Sequence, residues 1–184
     1  MAFQRSKPRD PVGEPGLFDY AIAALSRRMR TIRDLKRLMK PRAFPGEQGE
    51  RDMDAVVARL IDLKYLSDTR FAADYTRLRK ENQGFGRRRV QQDLTLKGID
   101  KETVAATLAK AYDDADEVEL ARQYCLRKRI PQPTDQKETA RTMNRLIRAG
   151  YSSTAIFKLL RGWNLPETAI IEEGSGDSDT YADD

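Results

Sequence analysis

Histidine is absent from this 184-residue chain, and cysteine and tryptophan occur once each. Without histidine there is no serine–histidine or cysteine–histidine nucleophile and no histidine-ligated zinc or iron site. A single thiol, Cys125, excludes an internally disulfide-stapled fold. No apolar run approaches the roughly 18 residues that a membrane-spanning helix needs. Segments alternating with period two between turn signals, the mark of strands, are missing as well. The chemistry left open is that of carboxylates and oxygen-ligated metals, or none.

What the chain does have is charge. Lysine and arginine number 34 against 29 acids, a net of +5. The mean conceals an asymmetry, because Glu172–Asp184 holds six acids and no base, which leaves the rest at +11. From Arg27 to Lys97 there are 19 bases and 10 acids. A cationic body of this kind suits a polyanionic or acidic partner, although a basic balance also serves solubility alone. The acidic Gly/Ser-containing end, 166–184, and the Pro/Gly-rich segment 1–16 are both expected to lack order. With no apolar core in 1–16 to act as a secretory signal, a cytoplasmic location is expected.

Helical spacing recurs throughout. Leu17, Ile22, Leu25 and Met29 mark a first helix, and Ile32, Leu35, Leu38 and Met39 a second that stops near Pro41. Pro45–Gly49 reads as a loop, followed by a stripe at Met53, Val56, Val57, Leu60 and Leu63. Ser67 or Asp68 caps a helix bearing Phe71, Ala72, Tyr75 and Leu78, which Asn82-Gln83-Gly84 breaks. A basic helix with Val90 and Leu94 ends at Gly98, and Asp100 caps the next, with Val104, Leu108 and Tyr112. Val118, Leu120, Ala121, Tyr124 and Leu126 follow. Then comes a helix opened by Thr134 or Asp135, with Met143, Leu146 and Ile147, and one opened by Ser152 or Ser153, with Ile156, Leu159, Leu160 and Trp163.

The pattern repeats. Counted from Gly98, apolar residues stand at −4, +1, +6 and +10 (Leu94, Ile99, Val104, Leu108); counted from Gly150 they are Leu146, Tyr151, Ile156 and Leu160. Met39 and Phe44 take the first two offsets around Ala43, and Val56 and Leu60 take the others after a seven-residue insertion. Three helical units follow, at 17–66, 67–114 and 115–165, with a period in the range of stacked repeats.

Gly84-Phe85-Gly86-Arg87-Arg88-Arg89-Val90 is the sharpest local feature. Two glycines permit a tight turn or close backbone approach. Three successive arginines fan over about 200° of a helix start, beyond the reach of one internal salt bridge. Their charge opposes the helix dipole there, which favours a role with phosphates or carboxylates. The alternative is a solvated basic face with Phe85 as a core plug. Arg27 to Lys40 forms a second basic run in which Arg33, Arg37 and Lys40 share a face, and Arg127-Lys128-Arg129 a weaker third. The acids Asp52 and Asp54, or Asp113 to Glu117, are the candidates for a hard cation, but the latter sit where acids cap a helix. Gly84-Phe85-Gly86 lacks the third glycine and the preceding strand of a dinucleotide loop.

Two ordered strings then carry a resemblance. Tyr65-Leu66-Ser67-Asp68-Thr69-Arg70-Phe71-Ala72 resembles the "GYLDDERFA" signature of the RecX family, with Lys64 in the place of the usual glycine. Gly84 to Leu94, closed by Lys97-Gly98-Ile99, resembles that family's second signature, and Leu120 to Trp163 its third repeat. The resemblance implies an all-α, elongated and curved tandem array of three three-helix repeats. It implies a non-enzymatic regulator of the bacterial RecA recombinase in DNA repair, without catalytic residues, metal or cofactor. Such a protein binds the RecA filament on single-stranded DNA and damps strand exchange and ATP hydrolysis. The residues expected to meet the filament or DNA phosphate are Phe85, Arg87, Arg88 and Arg89, then Tyr65, Arg70 and Lys97. A monomer is expected, with direct binding to single- or double-stranded DNA as the rival mode of action.

Overall fold

The computed structural model describes residues 10–163; the expectations for 1–9 and for the acidic end lie outside them. Among the described residues every regular element is helical. They are α1 (Glu14–Leu25), α2 (Ile32–Met39), α3 (Glu47–Asp62), α4 (Asp68–Leu78), α5 (Arg87–Leu96), α6 (Lys101–Tyr112), α7 (Glu117–Arg127), α8 (Gln136–Ala149) and α9 (Ser153–Arg161), with a 3-10 turn at Lys40–Arg42 and a π turn at Arg79–Gln83. None of these helices is long and apolar enough to cross a membrane.

The helix boundaries follow from side-chain caps. Thr31, Ser67, Asp100, Asp116, Asp135 and Ser152 each accept a hydrogen bond from a backbone N–H two or three residues on. Ser67 is thus the cap that the sequence left open between Ser67 and Asp68, and Asp135 and Ser152 settle the other two pairs. A cap contributes about 1 kcal/mol, and a fully buried leucine about 1.5–3 kcal/mol. Caps therefore fix where helices begin, while burial fixes which face turns inward.

Several expected positions differ. Helix α1 opens at Glu14, with Pro15 in its first turn where the missing N–H is harmless, so order begins within the segment read as unstructured. It closes at Leu25, where the Ser26 hydroxyl donates to the Ala23 carbonyl, so Met29 lies beyond it and is 47% exposed. Its inward face is Leu17, Ala21 and Ala24. Helix α3 begins at Glu47, inside the expected loop. Gly49 is buried there, because a Cβ on it would collide with the Phe44 carbonyl oxygen. Phe44 is exposed, so the repeat register fails at this one position. The eight residues matched around Gly98 and Gly150 are all buried.

The chain divides into two compact units. The first runs to Glu81 and adds Val90–Asp114. Its α1–α3 portion encloses a core of Leu17, Leu35, Met39, Met53, Val56 and Leu60, while Phe71, Val90, Leu94, Val104 and Leu108 are buried along α4, α5 and α6. The second takes Asn82–Arg89 and the chain from Ala115. Its core holds Ala121, Cys125, Leu146, Tyr151, Ile156 and Leu160, with Phe85 and Trp163 packed against it.

Candidate functional site

In the first unit, the start of α2 is pinned by two distant groups. Thr31 is fully buried; its hydroxyl donates to the Lys97 carbonyl at 2.9 Å while capping Asp34. The Ile32 N–H donates to Asp68 Oδ1 at 2.9 Å. Burial pushes the Asp68 carboxyl up, as do Asp100 and Asp34 nearby, against the lowering effect of the Ile32 N–H.

These anchors aim the Lys97 side chain across α4. Phe71 and Tyr75, one turn apart, stack at 5.6 Å with their planes 17° apart. The Lys97 ammonium stands 5.5 Å from each ring centroid, a range in which cation–π attraction acts. On the other side the Arg79 guanidinium lies 4.7 Å from the Tyr75 ring and 3.8 Å from Asp93, to which the Tyr75 hydroxyl donates at 3.0 Å. Burial raises the Tyr75 phenol above its ordinary range; Arg79 opposes the shift and Asp93 adds to it.

The rings floor a groove of about 380 Å³. Arg28, Arg30, Arg37 and Lys97 supply cations there against Asp34 and Asp74, with Met29 and Leu78 as exposed apolar residues. An adjoining depression of about 160 Å³ shares Met29, Arg30 and Asp74 and adds Tyr65 and Arg70. Tyr65 is 63% exposed and Arg70 is exposed as well. The fold thus gathers Tyr65, Arg70 and Lys97, from two distant stretches of sequence, onto one cationic face.

Phe85 and Arg87–Arg89 belong to the second unit. Gly86 donates its N–H to the Ala149 carbonyl at 2.8 Å, and Arg88 its N–H to the Gly150 carbonyl at 3.2 Å. A Cβ on Gly86 would stand 2.4 Å from the Gly150 oxygen, and one on Gly150, at φ +95°, 2.3 Å from the Arg89 nitrogen. The glycines therefore serve a backbone-to-backbone seam that caps the start of α5 with the carbonyls ending α8. Tyr151, 1% exposed, reinforces the seam, its hydroxyl 2.6 Å from the Gly84 carbonyl and 3.0 Å from that of Leu120. Phe85 is half-buried against the second core, with the Arg89 guanidinium 5.7 Å from its ring. Arg87, Arg88 and Arg89 are exposed.

Four of the acidic candidates, Asp52, Asp54, Asp116 and Glu117, have structural partners. Asp116 caps α7, and Glu117 accepts from the Ser152 N–H at 2.7 Å and its hydroxyl at 2.6 Å. Asp52 accepts from Gln48, and Asp54 pairs with Lys36. Among the described residues, no group of three or more Cys, Asp or Glu side chains is placed to hold a metal ion. Cys125 is buried, which pushes its thiol up to about 11 against the influence of Arg145.

Sequence reading missed the part played by Phe71 and Tyr75, which it took as core stripe, and by Met29, which it placed on a helix. The i, i+4 spacing of the two aromatics was a usable signal. Nothing local pointed to the Thr31–Lys97 and Ile32–Asp68 bonds, which join residues 66 and 36 apart.

Fold and surface together define an all-helical protein assembled from three-helix stretches and bearing a cationic face floored by aromatics. Residues 67–108 match the family model for the second three-helix domain of RecX. The chain is 31% identical over 142 residues to the regulatory protein RecX of Trichlorobacter lovleyi, covering 76% of this chain and 90% of the relative. It is 34% identical over 142 residues to that of Mycobacterium leprae, covering 80% of the latter. The crystal structure of RecX from Lactobacillus salivarius shares the fold at a TM-score of 0.64 and 21% identity, over 82% of this chain and 96% of that one. The chain belongs to the RecX family, as its two signature strings implied.

Proposed function

We propose that this chain is a non-catalytic regulator of the RecA recombinase, one that binds the RecA filament on single-stranded DNA and damps ATP hydrolysis and strand exchange. The names of its relatives support regulation, since both are regulatory proteins. The observation that carries the reading is the face on which Tyr65, Arg70 and Lys97 line two adjoining depressions with Met29 and Arg30. Arginine, tyrosine and methionine are the residues that protein interfaces favour. A cationic array that meets several filament protomers gains avidity without strong single contacts. It lowers activity by binding the less active filament state better than the active one. Arg87, Arg88 and Arg89, fanning from the first turn of α5, are the second set of contacts. In this reading the protein acts as a cytoplasmic monomer.

The test is charge reversal at each set. Arg70→Glu with Lys97→Glu, and separately Arg87→Glu with Arg88→Glu, are each expected to weaken filament binding at least tenfold while circular dichroism stays helical. Full affinity in both folded variants removes the assignment.

A second reading is that the protein occupies DNA alone. Aromatic rings interleaved with cations in the groove favour it, since bases stack on such floors. It predicts an affinity for DNA that falls steeply with salt as counterions are released. Filament binding that exceeds binding to bare DNA and is only weakly salt-dependent excludes it.

A further inference from the structure

Helix α8 in the second unit carries a charge pattern that no site above uses. Lys137, Arg141, Arg145 and Arg148 stand on it, and all four are exposed. At about 100° per residue they fall within an arc of about 80°, turned away from the buried Thr139, Thr142, Leu146 and Ala149. From first to last they span about 17 Å, in steps of about 5–6 Å. None of the four has an ion pair among the described residues. The one acid of α8, Glu138, stands at the edge of the arc and is already engaged, accepting from the Thr134 N–H and hydroxyl at 2.9 and 3.0 Å.

Helix stability does not account for this stripe. Like charges four residues apart repel, as Lys137 and Arg141 do, and Arg141 and Arg145. Lys137 also stands in the first turn, where the helix dipole disfavours a cation; only Arg148, in the last turn, is favoured by it. A local conflict of this kind is expected where a surface serves a partner. The seam at the end of α8 lengthens the track. Arg88 donates its N–H to the Gly150 carbonyl, two residues past Arg148, so the exposed arginines that open α5 begin where the stripe ends.

The neighbours of the stripe decide its partner. Ala140 and Asn144 are the exposed residues beside it, and α8 bears no aromatic side chain. Protein interfaces concentrate aromatic residues and methionine and are depleted in lysine. Single-stranded nucleic acids are held by cations together with rings on which bases stack. A second copy of this chain would set cations against cations. The backbone of duplex DNA needs neither rings nor apolar support. It carries one negative charge per about 1.7 Å of axis, and binding to it is driven by phosphates neutralised and counterions released. We propose that the α8 stripe binds the sugar–phosphate backbone of duplex DNA through Lys137, Arg141, Arg145 and Arg148, without reading its sequence. The inference holds whether or not the face of the first unit meets a recombinase filament.

The test uses the full chain without recombinase. Binding to a labelled duplex and to a labelled single strand of the same length is followed by fluorescence anisotropy from about 50 to 200 mM salt. Lys137→Gln with Arg141→Gln and Arg148→Gln removes three cations from the stripe. It is expected to lower duplex affinity at least about tenfold at the lowest salt and to flatten the salt slope by about 3. Single-strand affinity should change less than about threefold. The thermal midpoint should hold or rise, because like charges on α8 are removed. Arg51→Gln with Lys101→Gln and Lys110→Gln removes the same net charge from exposed positions in the first unit and should keep duplex affinity within about threefold. Failure of the unsubstituted chain to bind duplex overturns the inference. So does an unchanged affinity and slope in the α8 variant, an equal loss on the single strand, or an equal loss in the first-unit variant.

Discussion

Lys64 and Arg129 hold left-handed backbone, at φ 63° and 51°, in helix-ending turns of the same form as those at Gly98 and Gly150. In each turn the residue after the left-handed one donates back five residues, as Tyr65 does to Leu60 and Ile130 to Cys125. A side chain in that conformation costs about 1 kcal/mol or more. Lys64→Gly and Arg129→Gly are therefore each expected to raise stability by about 0.5–1 kcal/mol, read as a higher urea midpoint at constant slope. Cys125 offers a second check at this scale. With its thiol pushed up to about 11 by burial, alkylation in the native protein at pH 7.5 should be slow, and fast once denaturant opens the core. Asp68 and Asp100 carry pH dependences of opposite sign. Burial raises Asp68, so its charged form is disfavoured in the folded state and stability falls as pH rises from its unfolded value through its folded one. In Asp68→Asn the amide oxygen keeps the Ile32 bond, so the variant should gain on the parent as pH rises from the ordinary aspartate range through the raised folded value. Asp100 is lowered by its cap bonds to Thr103, so its contribution is present above the ordinary carboxylate range and is lost as pH falls through the lowered value. The deficit of Asp100→Ala should accordingly vanish in acid. Urea midpoints measured from pH 3 to 7 decide both signs.

At the scale of elements, the seam between the Gly84-Phe85-Gly86 turn and the end of α8 makes the largest claim. Gly86→Ala places a methyl against the Gly150 carbonyl, which must move; a loss of about 2–3 kcal/mol is expected, in the range of core overpacking. Tyr151→Phe leaves the Gly84 and Leu120 carbonyls without their hydroxyl and should cost about 1–2 kcal/mol. Thermal unfolding of both variants checks the pair, and wild-type midpoints would show that the seam is not holding the turn. Helix identities and most caps were legible in the sequence, because Thr, Ser or Asp stands just ahead of most apolar stripes, α1 and α3 with Gly13 and Gly46 being exceptions. Helix ends were less so. Spacing does not show where a helix stops, and so Met29 and Leu63 read as core yet are exposed, while Leu126, inside α7, lies off the face buried at Ala121, Tyr124 and Cys125. The arginine turn was recognised as unusual, but its glycines were explained only by Gly150, 64 positions away from Gly86 and outside any local window.

At the scale of the whole molecule, a net charge of +5 suits the anionic or acidic partner of the proposed function, and the face built on Phe71, Tyr75 and Lys97 is where the first unit presents that charge with apolar support. Half of this face was readable, since Tyr65, Arg70 and Lys97 stand in or beside the two signature strings. The other half depends on Thr31 and Asp68 pinning α2 across the chain, a long-range effect that no spacing rule reports. Filament-level action has a stoichiometric consequence. A protein bridging several protomers acts at amounts well below those needed to cover the DNA, whereas a DNA competitor must saturate it. The decisive measurement is ATP hydrolysis by RecA on saturating single-stranded DNA, with this protein added after filaments have formed. Inhibition at far less than one protein per filament site is the expected result. Unchanged hydrolysis by the cognate recombinase, alongside measurable binding to bare DNA, would contradict the account.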